Sequence, residues 1–106
     1  MSRPGRTPEP IDFRGARHLV EGLDDVRAEM RHRAFSIWVG LFDLAELVDD
    51  AYVVERSTHE VAAALGVSRQ SWLEYRDILQ AAGLLRLGPT RGPRPQVLTL
   101  TPPVVG

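Results

Sequence analysis

The residues with the clearest potential to recognise a ligand follow Ser68. Arg69, Gln70 and Ser71 come first, and Glu74 lies about one helical turn later. Arginine can hold guanine through O6 and N7, glutamine can hold adenine through N6 and N7, and glutamate can accept a hydrogen bond from N4 of cytosine. Ser68 and Ser71 also suit phosphate oxygens near the start of a helix. This run of residue types predicts direct contacts with nucleic-acid bases.

A second group of side chains is suited to the phosphate backbone. Tyr75 and Arg76 lie further along the same segment, and Arg91 and Arg94 belong to the run GPTRGPRP at 88–95. Prolines stiffen this run, while its glycines allow the chain to turn. We expect its two arginines to reach the minor groove or the flanking phosphates. The alternative interpretation is a proline-rich connector whose arginines have no such role.

Two short helices joined by a tight turn are predicted to position these side chains. Ser57 and Glu60 form an S-x-x-E capping box, which predicts the start of the first helix. Gly66 allows the chain to leave that helix in a left-handed conformation. Ser68 then caps a second helix, predicted over 68–82. This order of caps and apolar positions is typical of a helix-turn-helix, whose second helix enters the major groove of DNA.

Strands are predicted on both sides of the two helices. Gly83 ends the second helix, LLRL at 84–87 is a short apolar strand, and QVLTLT at 96–101 alternates as a strand does. AYVVER at 51–56 is rich in β-forming residues, and we expect it to pair with the later strands. The predicted order is therefore helix, turn, helix, strand, loop and strand.

The sequence VAAALGVSRQSWLEYRDILQAAGLL resembles the bacterial winged helix-turn-helix family. It has that family's small residues, leucine-glycine-hydrophobic turn, Ser-Arg opening and terminal Gly-Leu-Leu. The resemblance extends over residues 35–101 and includes MarR-like and GntR-like repressors and the DNA-binding domains of plasmid and phage replication proteins. It implies a mainly α, winged helix-turn-helix fold with a small β-hairpin wing, and residues 11–33 are expected to add an extra N-terminal helix before it. It also implies double-stranded DNA as the partner. We expect no cofactor.

The chain is predicted to have three parts. Residues 1–10, with three prolines and two arginines, are predicted to be a disordered arm. Residues 11–33 are predicted to form a helical extension, with a break near Gly22. Residues 34–106 are predicted to form the winged domain.

The helical extension carries an apolar stripe that could join two copies of the chain. Its four members repeat at spacings of four, three and four residues: Leu19, Leu23, Val26 and Met30. Such a stripe packs either on the domain's own core or against a second copy. We expect a homodimer, because helix-turn-helix proteins commonly bind two half-sites as symmetric pairs.

The most apolar segment, AFSIWVGLFDLAELV at 34–48, is predicted to be the first core helix. Its apolar residues recur at helical spacing, and Trp38 and Phe42 are interpreted as core residues. Asp49 and Asp50 are expected to end this helix.

The net charge of −1 is distributed unevenly along the chain. Residues 1–56 carry 8 basic and 11 acidic side chains, whereas residues 57–106 carry 5 basic and 3 acidic ones. Every basic side chain is an arginine, which suits bidentate contacts with guanine and phosphate. The positive charge therefore gathers where a winged helix faces DNA.

Several functional classes are excluded by the residues present. There is no cysteine, and His18, His32 and His59 lack the spacing of a zinc site, so we expect no metal. Neither a catalytic pair of carboxylates nor a phosphate-binding loop is recognisable, so we expect no enzyme activity. The sequence has no run of apolar residues long enough for a membrane helix and no signal-peptide core, which predicts a cytoplasmic, nucleoid-associated protein.

These observations predict a sequence-specific DNA-binding protein that acts as a small transcriptional regulator. A role in plasmid or phage replication, partition or excision is the alternative within DNA binding. The alternative from another class is a winged helix that contacts only a protein partner. It is favoured by the near-neutral charge and by the acidic and aromatic side chains of the second helix: Trp72, Glu74, Tyr75 and Asp77.

Overall fold

Helices and strands are interleaved in the part of the chain that the computed structural model describes, residues 10–88, 92 and 95–104. These residues form, in chain order, α1 (Phe13–Glu21), α2 (Ala28–Leu44), β1 (Glu46–Val48), β2 (Ala51–Glu55), α3 (Thr58–Leu65), α4 (Arg69–Ala81), β3 (Leu85–Leu87) and β4 (Val97–Leu100). The predicted arm lies outside the described residues, except for Pro10.

The described strands form one antiparallel sheet in the order β1-β2-β4-β3. Val54 of β2 lies opposite Leu98 of β4, and Leu100 of β4 lies opposite Leu85 of β3. This pairing confirms the prediction that the strand before the helix-turn-helix joins the wing. The expected fold class is confirmed: a mainly α, winged-helix-like fold with a small β wing, preceded by an extra N-terminal helix.

The core is organised around the indole ring of Trp38 on α2. This side chain is fully buried, and its Nε1 donates a hydrogen bond to the carbonyl oxygen of Leu84 at 3.0 Å. The same oxygen accepts a second hydrogen bond from the backbone N–H of Thr101 at 3.0 Å. This one oxygen atom thereby connects the middle of α2 with the chain that leaves α4 and with the end of β4. Trp38 and Phe42 are confirmed as core residues, with ring centroids 4.9 Å apart.

The prediction of a helix that begins at Ala34 is wrong. Helix α2 begins at Ala28 and continues through residue 33, where an exposed ion pair joins Arg33 to Glu29 at 2.8 Å. The helix break is instead at 22–27, near Gly22 as expected. Nothing near residue 33 interrupts the main-chain hydrogen bonds, because the segment contains neither proline nor glycine.

The break at 22–27 also divides the apolar stripe. Leu19 lies on α1, Leu23 and Val26 lie in the turn, and Met30 lies on α2. The four residues therefore do not share one helix, and spacing along the sequence sets a common face only within a single helix. Their role as a dimer seam stays a prediction. Leu19 is 46% exposed, whereas Met30 packs partly against the core.

The prediction that Asp49 and Asp50 end a helix is also wrong. Helix α2 ends at Leu44, and the two aspartates form the turn between β1 and β2. Both have positive φ angles, 49° and 67°. Two-residue hairpin turns favour this left-handed backbone because it follows the twist of the strands, and aspartate tolerates it better than most residues.

We expect Trp38→Phe to lower the free energy of unfolding by about 2 kcal/mol, because it removes a buried hydrogen-bond donor and leaves a small cavity. Trp72→Phe is the matched control. Trp72 is also almost fully buried, and its indole N–H makes no hydrogen bond with the described residues. Urea unfolding of both variants should show the greater loss for Trp38→Phe. Equal losses would show that the bond to Leu84 contributes nothing measurable.

Candidate nucleic-acid interface

The start of α3 is held by reciprocal hydrogen bonds, as the sequence predicted. The Ser57 hydroxyl accepts from the backbone N–H of Glu60 at 3.1 Å, and the Glu60 carboxylate accepts from the backbone N–H of Ser57 at 3.2 Å. At the other end, Gly66 has a φ of 71° and turns the chain toward α4. Both ends of α3 are therefore determined by local sequence, and the turn sets where α4 begins.

The first turn of α4 is capped by Ser68. Its hydroxyl accepts from the backbone N–H of Ser71 at 3.1 Å and donates to the Ser71 hydroxyl at 2.9 Å. This pair of serines stabilises the helix end and leaves Arg69 and Gln70 exposed beside it. Ser71 is half-buried, and its hydroxyl is already engaged by Ser68.

The buried side of α4 differs from the sequence prediction at one site residue. Trp72 is 1% exposed, Tyr75 is 6% exposed and Leu79 is fully buried. The sequence predicted that Tyr75 would contact the DNA backbone, but its ring belongs to the core. It follows Trp72 by three residues, so both side chains lie on the same side of the helix.

The charged side chains of α4 lie in two strips. Helical spacing aligns Arg69 with Arg76 along one strip, and it aligns Gln70, Glu74 and Asp77 along the other. Gln70, Glu74 and Asp77 are all exposed. One strip therefore carries two cations and the other carries two carboxylates. A long ion pair joins the two strips, because Arg76 Nη2 lies 3.8 Å from Asp77 Oδ1.

Arg76 connects the basic strip to the start of α3 and to the wing. Its side chain is 23% exposed and lines a small cleft whose other charged or polar members are Arg56, Thr58 and Gln96. Gln96, in turn, donates through Nε2 to the Gly88 carbonyl at 2.7 Å and so braces the described base of the wing. Arg76 Nε is buried and has no hydrogen-bond partner among the described residues. The start of α3, helix α4 and the base of the wing therefore converge at a basic cleft.

Sequence reasoning missed Arg56 as part of this surface. It directly precedes the Ser57 cap and is exposed, yet in the sequence it appears only as the last residue of a β-rich segment. Its only signal was a positive charge next to a helix start, and only the tertiary fold places it beside Arg76. Arg91 and Arg94, the predicted wing contacts, lie outside the described residues.

Over the described residues, no group of three or more histidine, aspartate or glutamate side chains is arranged to hold a metal ion. None of the described helices is both long and apolar enough to cross a membrane.

Two solved structures share this fold. One is described as the structure of a Rep–DNA complex, with a TM-score of 0.64 and 16% identity, covering 96% of this chain and 79% of that one. The other is described as the N-terminal domain of a DNA-binding protein, with a TM-score of 0.63, 18% identity and the same two coverages. No protein-family model matches the chain. No curated protein matches it either.

The capping box makes the stability of α3 sensitive to acid. The hydrogen bond from the Ser57 backbone N–H, followed by that from the Ser57 side chain, lowers the pKa of Glu60 below its ordinary value. A carboxyl with a lowered pKa in the folded state contributes stability above its unfolded pKa and loses it as the pH falls through the folded pKa.

We therefore expect the wild-type protein to lose more thermal stability than Glu60→Gln when the pH falls from 6 to 3. Glutamine retains the hydrogen-bonding geometry of the cap but cannot be protonated in this range. Thermal unfolding of both proteins across that range measures the difference. If the unfolding temperatures of the two proteins fall in parallel as the pH is lowered, the ionised Glu60 carboxylate has no stabilising role.

Proposed function

We propose that this protein binds double-stranded DNA in a sequence-specific manner, with the first turn of α4 in the major groove. The observation that carries the proposal is the placement of Arg69 and Gln70, both exposed at the capped start of a helix whose opposite side is anchored in the core. A rigidly held helix end brings backbone N–H groups and these side chains to the base edges together.

The charge of the two strips indicates how α4 is oriented on the duplex. The strip with Arg69 and Arg76 faces the groove and the near phosphates, while Glu74 lies at its margin. In this orientation Glu74 can still accept from a cytosine amino group. The carboxylate of Asp77 is paired with Arg76 at 3.8 Å. Arg56 and Thr58 approach the phosphates that flank the groove. The wing arginines, Arg91 and Arg94, extend the contact along the DNA.

The likeness to a Rep–DNA complex and to a DNA-binding domain supports this proposal through the shared fold. The burial of Trp72 and Tyr75 weakens the rival proposal of a protein-contact module, because that proposal drew on these aromatic rings as exposed contacts.

We propose transcriptional regulation as the biological use, with the protein acting as a homodimer. The likeness to the Rep–DNA complex favours a second use, the recognition of a replication origin.

Selection from a random DNA library, with sequencing of the retained fragments at low and near-physiological salt, tests DNA binding directly. We expect an enriched motif arranged as an inverted repeat, with half-site centres about one helical turn, 10–10.5 base pairs, apart. A single half-site would contradict the dimer, and no retention at low salt would contradict DNA binding itself. The genomic position of the motif, in promoters or at an origin, separates the two uses.

Arg69→Ala should weaken binding to the selected motif by about 1–3 kcal/mol and relax the preference at one base pair. The physical reason is the loss of the bidentate contact with a guanine. Arg33→Ala is the matched control, since Arg33 is an exposed arginine on α2. Repeating the selection with both variants gives the measurement. If the motif is unchanged in the Arg69 variant, Arg69 does not read a base.

Arg56→Gln should act on affinity without changing the motif. Loss of one phosphate contact should reduce the slope of log K against log salt by about 1. Fluorescence anisotropy with the selected DNA at several salt concentrations measures this slope, and Arg33→Gln again serves as the control. An unaltered slope would remove Arg56 and its cleft from the DNA-binding surface.

A further inference from the structure

A separate cleft of about 460 Å³ lies between α1 and α2. It is present because the turn at 22–27 places the end of α1 next to the start of α2. Its size is within the range of small-molecule binding sites. The lining residues are Arg17, Val20, Glu21, Ala28, Arg31, His32 and Phe35.

Positive side chains outnumber negative ones in this cleft. Arg17 Nε lies 3.0 Å from a carboxylate oxygen of Glu21, and the Arg17 side chain is still 56% exposed. Arg31 donates through Nη1 to the backbone carbonyl of Glu21 at 2.6 Å, which orients its guanidinium. Arg31 Nε is buried and has no partner among the described residues. Two guanidinium groups and the imidazole of His32 therefore line a cleft that contains one carboxylate.

The first residue of α2 adds to this positive character. Ala28 lines the cleft, and the cap residue before it, Arg27, makes no side-chain hydrogen bond to the helix start. The first backbone N–H groups of a helix have no partners within the helix and lie at the positive end of its dipole. They reinforce the attraction of the arginines for an anion.

The remaining lining residues are apolar. Val20 is 1% exposed, and Phe35 is a partly buried ring whose centroid lies 6.1 Å from that of Trp38. A flat apolar group placed against Phe35 would lose water from both surfaces, and such aromatic contacts favour binding. The cleft therefore combines cationic donors with an aromatic surface.

We propose that this cleft binds an aromatic phosphate monoester. Together, Arg17, Arg31 and His32 offer more hydrogen-bond donors than a carboxylate ligand could use with its two oxygens. The forked guanidinium group also matches the geometry of a phosphate. The aromatic body packs against Phe35. This inference goes beyond DNA binding and is tested without DNA, so its failure leaves the proposed function untouched.

Isothermal titration with phenyl phosphate tests the proposal, with inorganic phosphate and phenol as partial ligands. We expect phenyl phosphate to bind more tightly than inorganic phosphate and phenol not to bind. Arg17→Gln should weaken binding about fivefold or more, because it removes a charge-assisted hydrogen bond. Glu21→Gln should tighten binding, because it removes the carboxylate that competes for Arg17.

Arg33→Gln is the matched control. Arg33 is an exposed arginine on α2 and, like Arg17, it pairs with a glutamate four residues away, in this case Glu29. It does not line the cleft. It should bind phenyl phosphate like the wild type. Absence of heat at millimolar phenyl phosphate would overturn the proposal. Equal weakening by Arg17→Gln and Arg33→Gln would overturn it too, because the attraction would then be a general effect of net charge.

Discussion

The arrangement of the helices and the sheet depends on the buried hydrogen bonds at the Leu84 carbonyl. This oxygen accepts from the Trp38 indole and from the Thr101 backbone N–H. It therefore ties the middle of α2 to the point where the chain leaves α4 and to the end of β4. A buried carbonyl without partners would be costly, so the bonds favour one relative position of these elements. The exposed start of α4 is held at a defined angle because its far end is fixed in this way.

A second constraint is the division of charge on the surface. The chain is close to neutral overall, yet α4 presents arginines on one strip and carboxylates on the next. The arginine strip lies beside Arg56 and the base of the wing. Such a division favours a polyanion on one side of the helix and disfavours it on the other, which is the charge pattern that the proposed DNA binding requires of a nearly neutral chain.

Much of the helix-turn-helix could be predicted from the sequence because its determinants are local. The Ser57–Glu60 box, Gly66 and the Ser68 cap each involve residues within a few positions of one another, and all three adopt the expected geometry. The β1–β2 hairpin was missed because two aspartates can end a helix or form a turn. The extended alternative is stabilised by the pairing of β1 with β2, which is itself paired with β4.

The sequence by itself determined the caps, the turn, the winged order of the elements and the exposed residues Arg69 and Gln70. Only the tertiary structure decided that Tyr75 is a core residue, that Arg56 joins Arg76, and that the stripe from Leu19 to Met30 is divided by a turn. The physical reason is the range of the interactions. Caps depend on hydrogen bonds between near neighbours, whereas burial and charge clustering depend on which distant segments pack together.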